Sequence, residues 1–313
     1  MGKYVFGVDV GGTYTKFGIF KDRKLIDKWK IDTDVENCGE NILKNIGREI
    51  DKKTESMGVL KSSVEGCGIC VPGPVDEKGL VRGCVNLGWG YKRAAVELEN
   101  ITGLKCAVLN DANAAALGEF DFGLGGEYDS AVMVTIGTGV GGAVIYKGQV
   151  LSGYRGNAGE IGHFKIDPLN GPECSCGKKG CLECYSSATG IVRFAYENLE
   201  KYPDTKLCII ENFTVKDMAD LASEGDELCK LAFDRAGKFV ALGLSFMAGA
   251  VDPKVFIIGG GVSQAGDVIF EPIRKFFKQF AFNTEEETPV LPAKLGNDAG
   301  IFGAAEFILK RRI

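Results

Sequence analysis

The chain writes one pattern twice, and that repetition limits what it can fold into. Residues 3–10 form an apolar, β-branched run ending in Asp9-Val10-Gly11-Gly12-Thr13, and Thr15–Phe20 returns as a second run. From Ser130 the pattern recurs: Ala131–Ile136 is apolar, Gly137-Thr138-Gly139-Val140-Gly141-Gly142 turns, and Ala143–Tyr146 returns. Runs of this length between glycines read as buried strands joined by hairpins. The turn glycines are expected to supply either φ > 0 or a close backbone approach. Two copies predict two similar α/β halves, each presenting a glycine–threonine hairpin.

The rest of the chain fits that plan. Lys24–Ile31 reads as a third strand, and Asn41–Ile50 carries Ile42, Leu43, Ile46 and Ile50 at helical spacing. Val64–Val71 is a strand running into the rigid turn Pro72-Gly73-Pro74. A short helix over Ala94–Glu99 and a strand over Cys106–Leu109 follow. A helix begins at Ala112 and runs to Phe120, with Asn110 or Asp111 as its cap. In the second half, helices are expected over 216–221 and 228–250. A strand over Val255–Ile258 stops at Gly259-Gly260-Gly261, and a last helix covers Asn297–Lys310. This order, strands first and helices after, predicts mixed sheets with an antiparallel edge in each half.

Composition removes several classes of function. A chain of 313 residues suits two domains or one large one. A net charge of −5, with no dense Lys/Arg run, argues against a nucleic-acid footprint. No charged-then-apolar leader precedes Tyr4, and no run approaches a membrane span. Eleven cysteines, an odd number and some in apolar strands, suit a reducing cytoplasm better than a disulfide framework.

Three of those cysteines lie in the run Cys174-Ser175-Cys176-Gly177-Lys178-Lys179-Gly180-Cys181, separated by ten residues from His163, the single histidine. Thiolates and imidazole are the donors tetrahedral Zn²⁺ prefers, and one His with three Cys closes a structural site with no open position. Gly177 and Gly180 let sulfurs at such short spacing fold back on one ion. The alternative is ordinary buried thiols beside a core histidine. Glu160 and Glu183 flank the stretch, so a metal pinning His163 and Cys181 would fix both acids and aim them at one pocket.

The glycine turns invite comparison with nucleotide loops. A dinucleotide fingerprint must open a helix, whereas Ala143–Tyr146 continues as strand, and no G-x-x-x-x-G-K-[ST] occurs. What is left is a plain tight turn, or a nest of N–H groups and threonine hydroxyls for phosphate. Two matching loops plus Gly259-Gly260-Gly261 favour the nest. Lys16 could add charge to the phosphates, and Asp9, at a strand end, is placed to hold Mg²⁺ through water. Asp111 reads equally well as part of a helix cap or as a general base for a hydroxyl attacking a γ-phosphate.

The segments occur in a telling order. Asp9-Val-Gly-Gly-Thr13 with Lys16 is followed by Pro72-Gly-Pro74-Val75, Asn110-Asp111-Ala-Asn-Ala and Thr135-Ile-Gly-Thr-Gly-Val-Gly-Gly142. Then come Gly159-Glu-Ile-Gly-His163, the cysteine run through Glu183, and Ile258-Gly-Gly-Gly-Val262. Together they resemble the ROK family of sugar kinases, repressors and open reading frames, across essentially the whole chain. The resemblance implies an actin-like, ribonuclease-H-like pair of α/β domains flanking a cleft. The expected domains are a smaller one over 1–111 plus 298–313, and a larger one over 112–297 carrying the zinc site. It also implies roles. Asp111 becomes the catalytic base, and Gly73, Asn86, Asn110, Asp111, Glu160, His163 and Glu183 become sugar ligands. Asp9, Gly11, Gly12, Thr13, Lys16, Gly137, Thr138, Gly139, Gly260 and Gly261 become the ATP site, with Mg²⁺ accompanying the nucleotide. His163, Cys174, Cys176 and Cys181 become the zinc ligands. One nitrogen of His163 would meet the metal and the other a sugar hydroxyl. Cys184, next to Glu183, reads as packing.

Within the family, Val85-Asn-Leu-Gly-Trp89, Ser187-Ala-Thr-Gly-Ile-Val-Arg193 and Leu295-Gly-Asn-Asp-Ala-Gly300 look most like the ATP-dependent glucokinases of bacteria. The expected activity is therefore phosphoryl transfer from ATP to the 6-hydroxyl of glucose, with a homodimer implied by the family. The alternatives are a kinase of fructose, mannose or an N-acetylated amino sugar, a sugar sensor without catalysis, and a zinc-dependent interaction module. Family repressors carry a helix-turn-helix domain ahead of the first strand, and a strand starting at about Tyr4 leaves no such reader of DNA expected here.

Overall fold

The computed structural model describes residues 3–282 and 288–311. The strands and helices follow from local pattern. β1 (Tyr4–Val10), β2 (Tyr14–Lys21) and β3 (Lys24–Asp32) form an antiparallel meander. A single turn, α1 (Glu36–Gly39), leads into α2 (Ile42–Ser56), whose Ile42, Leu43, Ile46 and Ile50 are all buried, as their spacing predicts. β4 (Val64–Val71), the hairpin of β5 (Val81–Cys84) and β6 (Trp89–Lys92), α3 (Ala94–Thr102), β7 (Cys106–Asn110) and α4 (Asp111–Gly118) come next. β8 (Ser130–Ile136), β9 (Val140–Tyr146) and β10 (Gln149–Val150) repeat the opening meander. Then follow α5 (Glu183–Ser186), α6 (Ala188–Tyr196), α7 (Val215–Glu224), α8 (Glu227–Val251), β11 (Phe256–Gly259), α9 (Asp267–Phe280), β12 (Val290–Pro292) and α10 (Ala299–Lys310).

The internal repeat becomes two sheets of one design. The first has the order β3-β2-β1-β4-β7, the second β10-β9-β8-β11-β12. In the first, β1 runs antiparallel to β2 and parallel to β4, which is parallel to β7. In the second, β8 is parallel to β11 and β11 to β12, with β9 and β10 antiparallel at the other edge. These are the mixed sheets expected of the sequence.

Contacts divide the chain into one unit of Met1–Asp129, Val144–Ala158 and Lys294–Ile313, and another of Ser130–Ala143 and Gly159–Ala293. This differs from the division at Asp111/Ala112 and at 297/298 drawn from sequence. Helix α4 packs on α10 inside the first unit, and the backbone explains why. A Cβ on Gly303 would lie 1.7 Å from the Ala114 carbonyl oxygen, and one on Gly118 would lie 2.3 Å from that of Ala299. The helices cross with backbone nearly on backbone. The ends of the expected first domain, residues 1–2 and 312–313, lie outside the described residues.

Two further differences have local causes. Residues 267–280 carried no expectation, yet form α9, with Pro272 inside it and Ile269, Phe270, Ile273 and Phe277 buried. A helix-interior proline removes one backbone bond, and burial of this stripe offsets the loss. The helix expected to run to Phe120 instead ends at Gly118 and widens into a π-turn over Glu119–Gly123. The intimacy of the α4–α10 crossing is testable. Gly303→Ala is expected to cost about 1–3 kcal/mol by overpacking, read as a lowered midpoint in denaturant or thermal melts.

Candidate functional site

In the first unit, β7 and α4 meet at Asn110-Asp111. Asn110 is the cap: its Oδ1 accepts from the Asn113 N–H at 3.1 Å, and its Nδ2 donates to the Gly73 carbonyl at 3.1 Å. That settles the choice left open between Asn110 and Asp111. Asp111 Oδ1 accepts from Asn110 Nδ2 at 2.9 Å and from the Ala112 N–H at 2.8 Å. Despite these donors, burial of the carboxyl, aided by the negative charge of Asp9, raises its pKa to about 6. An acid so poised is a base ready at neutral pH.

Asp9 ends β1. Its Oδ2 lies 3.2 Å from Lys16 Nζ, and its Oδ1 accepts from the thiol of buried Cys70 at 3.4 Å. Lys16 Nζ also donates to the Asn297 carbonyl at 3.1 Å. Cys70 was not foreseen. Burial and the nearby carboxylates of Asp9 and Asp111 push its thiol pKa well up, so it stays a proton donor. The first glycine turn lies against the hairpin, with a Cβ on Gly12 3.5 Å from the Asn86 carbonyl oxygen. Thr13 is exposed, and its carbonyl accepts from the Thr33 N–H. The structure thus gathers Asp9, Lys16, Gly73, Asn110 and Asp111 in the first unit, with Gly11, Gly12 and Asn86 alongside.

In the second unit, the turn after β8 is tied down by Gly137 N–H donating to the Gly139 carbonyl at 2.9 Å. Glu183 reaches this turn: its Oε2 accepts from the Val140 N–H at 3.0 Å, and Ser175 donates to its Oε1 at 3.4 Å. A Cβ on Gly139 would fall 2.3 Å from Glu183 Oε2. None of the glycines at 11, 12, 137 and 139 has positive φ. Left-handed backbone therefore explains none of the four, and close approach explains Gly139 and Gly11, whose Cβ would lie 3.0 Å from the Tyr14 carbonyl oxygen, whereas Gly137 has open space around it. Gly260 packs on Ile136, directly before this turn, and does take a positive φ of 86°. Gly261, beside it, is exposed.

His163, Cys174, Cys176 and Cys181 bring one ligand atom each to within 4.8 Å of the others. Cys176 Sγ and Cys181 Sγ are 3.6 Å apart, and Cys174 Sγ is 3.7 Å from His163 Nδ1. An ion with Zn–S bonds of about 2.3 Å spaces its sulfurs by about 3.8 Å in a tetrahedron, so the donor set fits. Gly177 and Gly180 have φ of 76° and 66°, as the tight run requires. Lys165 Nζ, 2.7 Å from Cys181 Sγ, adds a positive charge beside the thiols. Glu160 accepts the His163 N–H at its carbonyl. Cys184 Sγ instead donates to the Glu173 carbonyl. A cavity of about 400 Å³ opens between the Gly139 turn, Cys174, Glu183 and the start of α6 at Thr189.

The paired sheets and this set of loops define the actin-like class of ATPase folds. The chain belongs to the ROK family, whose pattern it matches over residues 5–311. It is 36% identical to a glucokinase of Halalkalibacterium halodurans over 96% of this chain and 93% of that one. It is likewise 36% identical to a glucokinase of Thermotoga maritima, over 98% of each. Among solved structures, a ROK family glucokinase from Streptomyces griseus in complex with glucose and AMPPNP superposes with a TM-score of 0.77 at 33% identity, covering 98% of this chain and 99% of that one. A ROK hexokinase from Thermus thermophilus gives a TM-score of 0.80 at 30% identity, over 97% of each.

The electrostatics of Asp111 set a sign for stability. A carboxyl raised above its unfolded value of about 3.9 weakens folding as pH climbs from there through about 6 and leaves the loss complete above it. Asp111→Asn is therefore expected to melt higher than the parent at pH 8, with the difference shrinking toward pH 4.

Proposed function

We propose that the chain is an ATP-dependent glucokinase, converting D-glucose and ATP to glucose 6-phosphate and ADP. The observation that carries the reading is Asp111, a carboxyl held at the start of a helix with its pKa lifted to about 6. One carboxylate oxygen takes the proton of the 6-hydroxyl. The freed oxygen lone pair forms the new bond to the γ-phosphorus, and the bond to the bridging oxygen of ADP breaks. Asn110, Gly73 and Asn86 are assigned to the sugar in the first unit, and Glu160, Glu183 and His163 in the second. Orienting the hydroxyl in this way is where most of the gain from positioning arises.

The phosphate side is assigned to Asp9, Gly11, Gly12, Thr13 and Lys16 in the first unit, and to Gly137, Thr138, Gly139, Gly260 and Gly261 in the second. Asp9 keeps lone pairs beyond those facing Lys16 and Cys70, which suits an oxygen-seeking cation. Mg²⁺ bound there would supply charge neutralisation to the transferring phosphoryl group. Zn²⁺ is assigned to His163 and the three cysteines as a structural ion, with Nδ1 of His163 toward the metal and Nε2 left for a sugar hydroxyl. Holding Cys181 in this way would anchor Glu183 two residues on. The reading includes a homodimer and, with all eleven cysteines free thiols, a reducing cytoplasm. No described helix is long and apolar enough to cross a membrane.

Turnover of MgATP against glucose, mannose, fructose, N-acetylglucosamine and N-acetylmannosamine tests the substrate. Glucose is expected to lead in kcat/KM, and a lead by another sugar overturns that part. Asp111→Asn should lower kcat by orders of magnitude while glucose still binds, as read by calorimetry, and parental kcat/KM should rise with pH through about 6. Purified protein should contain about one zinc per chain. Stripping the metal with a chelator should lower the melting temperature and raise the KM for glucose.

A further inference from the structure

Glu119 lies outside every assignment above, yet it is one of the most deeply buried charged residues described, with only 1% of its surface exposed. Its partners are three successive backbone N–H groups far along the chain. Oε2 accepts from Lys294 at 2.7 Å, and Oε1 accepts from Leu295 at 2.7 Å and Gly296 at 3.3 Å. Consecutive N–H groups converging on one carboxyl group form a nest. The π-turn is shaped to it: a Cβ on Gly123 would sit 2.2 Å from Glu119 Oε2.

The turn held by Glu119 leads straight to the phosphate-side cation. The next residue, Asn297, offers its carbonyl to Lys16 Nζ at 3.1 Å, and the same ammonium meets Asp9 Oδ2 at 3.2 Å. Asp298 pairs with Lys28 Nζ at 2.5 Å, tethering the turn to β3. Two residues later, a Cβ on Gly300 would lie 3.0 Å from Asp9 Cγ. Lys16 is therefore fixed from two sides, by the carboxylate of Asp9 and by a carbonyl whose position depends on Glu119.

We propose that Glu119 is a positioning residue for the phosphoryl donor, acting through the 294–297 turn on Lys16. The inference rests on the reading of Lys16 and Asp9 as the phosphate side of a kinase. A merely structural carboxylate would lower thermal stability and disturb both substrates alike, whereas a positioning residue shifts one. Steady-state kinetics with MgATP varied at saturating sugar, and the converse, should be run on the parent, Lys16→Met, Glu119→Gln and the double variant. Lys16→Met and Glu119→Gln are each expected to raise the KM for MgATP by about tenfold, with the KM for sugar within about twofold of the parent. The double variant is expected to be no worse than Lys16→Met alone, because both act on one ammonium.

If Glu119→Gln shifts both KM values together, or adds fully to Lys16→Met, the relay is overturned and the assignment of Lys16 stands. If Lys16→Met leaves the KM for MgATP unchanged, the phosphate assignment falls and takes the relay with it. Should Glu119→Gln fail to fold, Gly296→Ala reads the same turn without emptying the nest. Gly296 has φ +57° and open space around it, so alanine strains the backbone alone. It too should raise the KM for MgATP selectively, and an unchanged value overturns the proposal.

Discussion

Backbone contact between α10 and its surroundings governs the first unit. A Cβ on Gly7 would meet the Ile301 carbonyl oxygen at 1.9 Å, and one on Gly68 would meet that of Ala304 at 1.7 Å. The helix is pressed onto β1 and β4 at their centre, while Gly303 seats it against α4. At that range no side chain can intervene, so the position of the helix is set by backbone sterics rather than by the looser fit of interdigitating side chains. Everything that must be held near the end of β1 follows from it: the start of α10 brings Gly300 against Asp9, and the turn before it brings a carbonyl to Lys16.

The polar groups of this unit form a graded set rather than a single ion pair. Asp9 is shared between an ammonium and a thiol, and Asp111 between an amide and a backbone N–H. Both donors to Asp111 are neutral, and burial leaves its charge under-compensated. Such a carboxyl is a cost to folding and an asset to proton transfer, the usual opposition between a stable site and a reactive one. Glu119 shows the opposite solution, where three N–H groups stabilise a charge with no reaction to perform.

Much of this was legible from residue order. The doubled strand–turn–strand pattern implies two mixed sheets, and the sheets have the same strand order. The stripe of α2 was readable because helix period and burial coincide at Ile42, Leu43, Ile46 and Ile50. Clustering of His163 with the three cysteines was readable because donor type and spacing leave few other arrangements. What stayed hidden was non-local. Glu119 looks like an ordinary helix residue until its partners 175–177 positions away are known. Cys70 looks like a strand residue until β1 lies beside it. The contact-based units differ from the domains drawn from sequence because α4 follows β7 without a break while its packing partner is the last helix of the chain.

The glycines divide into two kinds with different evolutionary latitude. Gly303 and Gly7 are barred from growing a side chain by carbonyl oxygens of the main chain, which every residue carries, so no single exchange elsewhere lifts the bar. Gly139 is barred by the carboxylate of one neighbour, Glu183, and its own φ is one that any amino acid accepts. Its freedom to vary is therefore borrowed from that neighbour. A lineage that shortened position 183 would release position 139 at once, making the pair a single heritable unit although its members stand 44 positions apart in the chain.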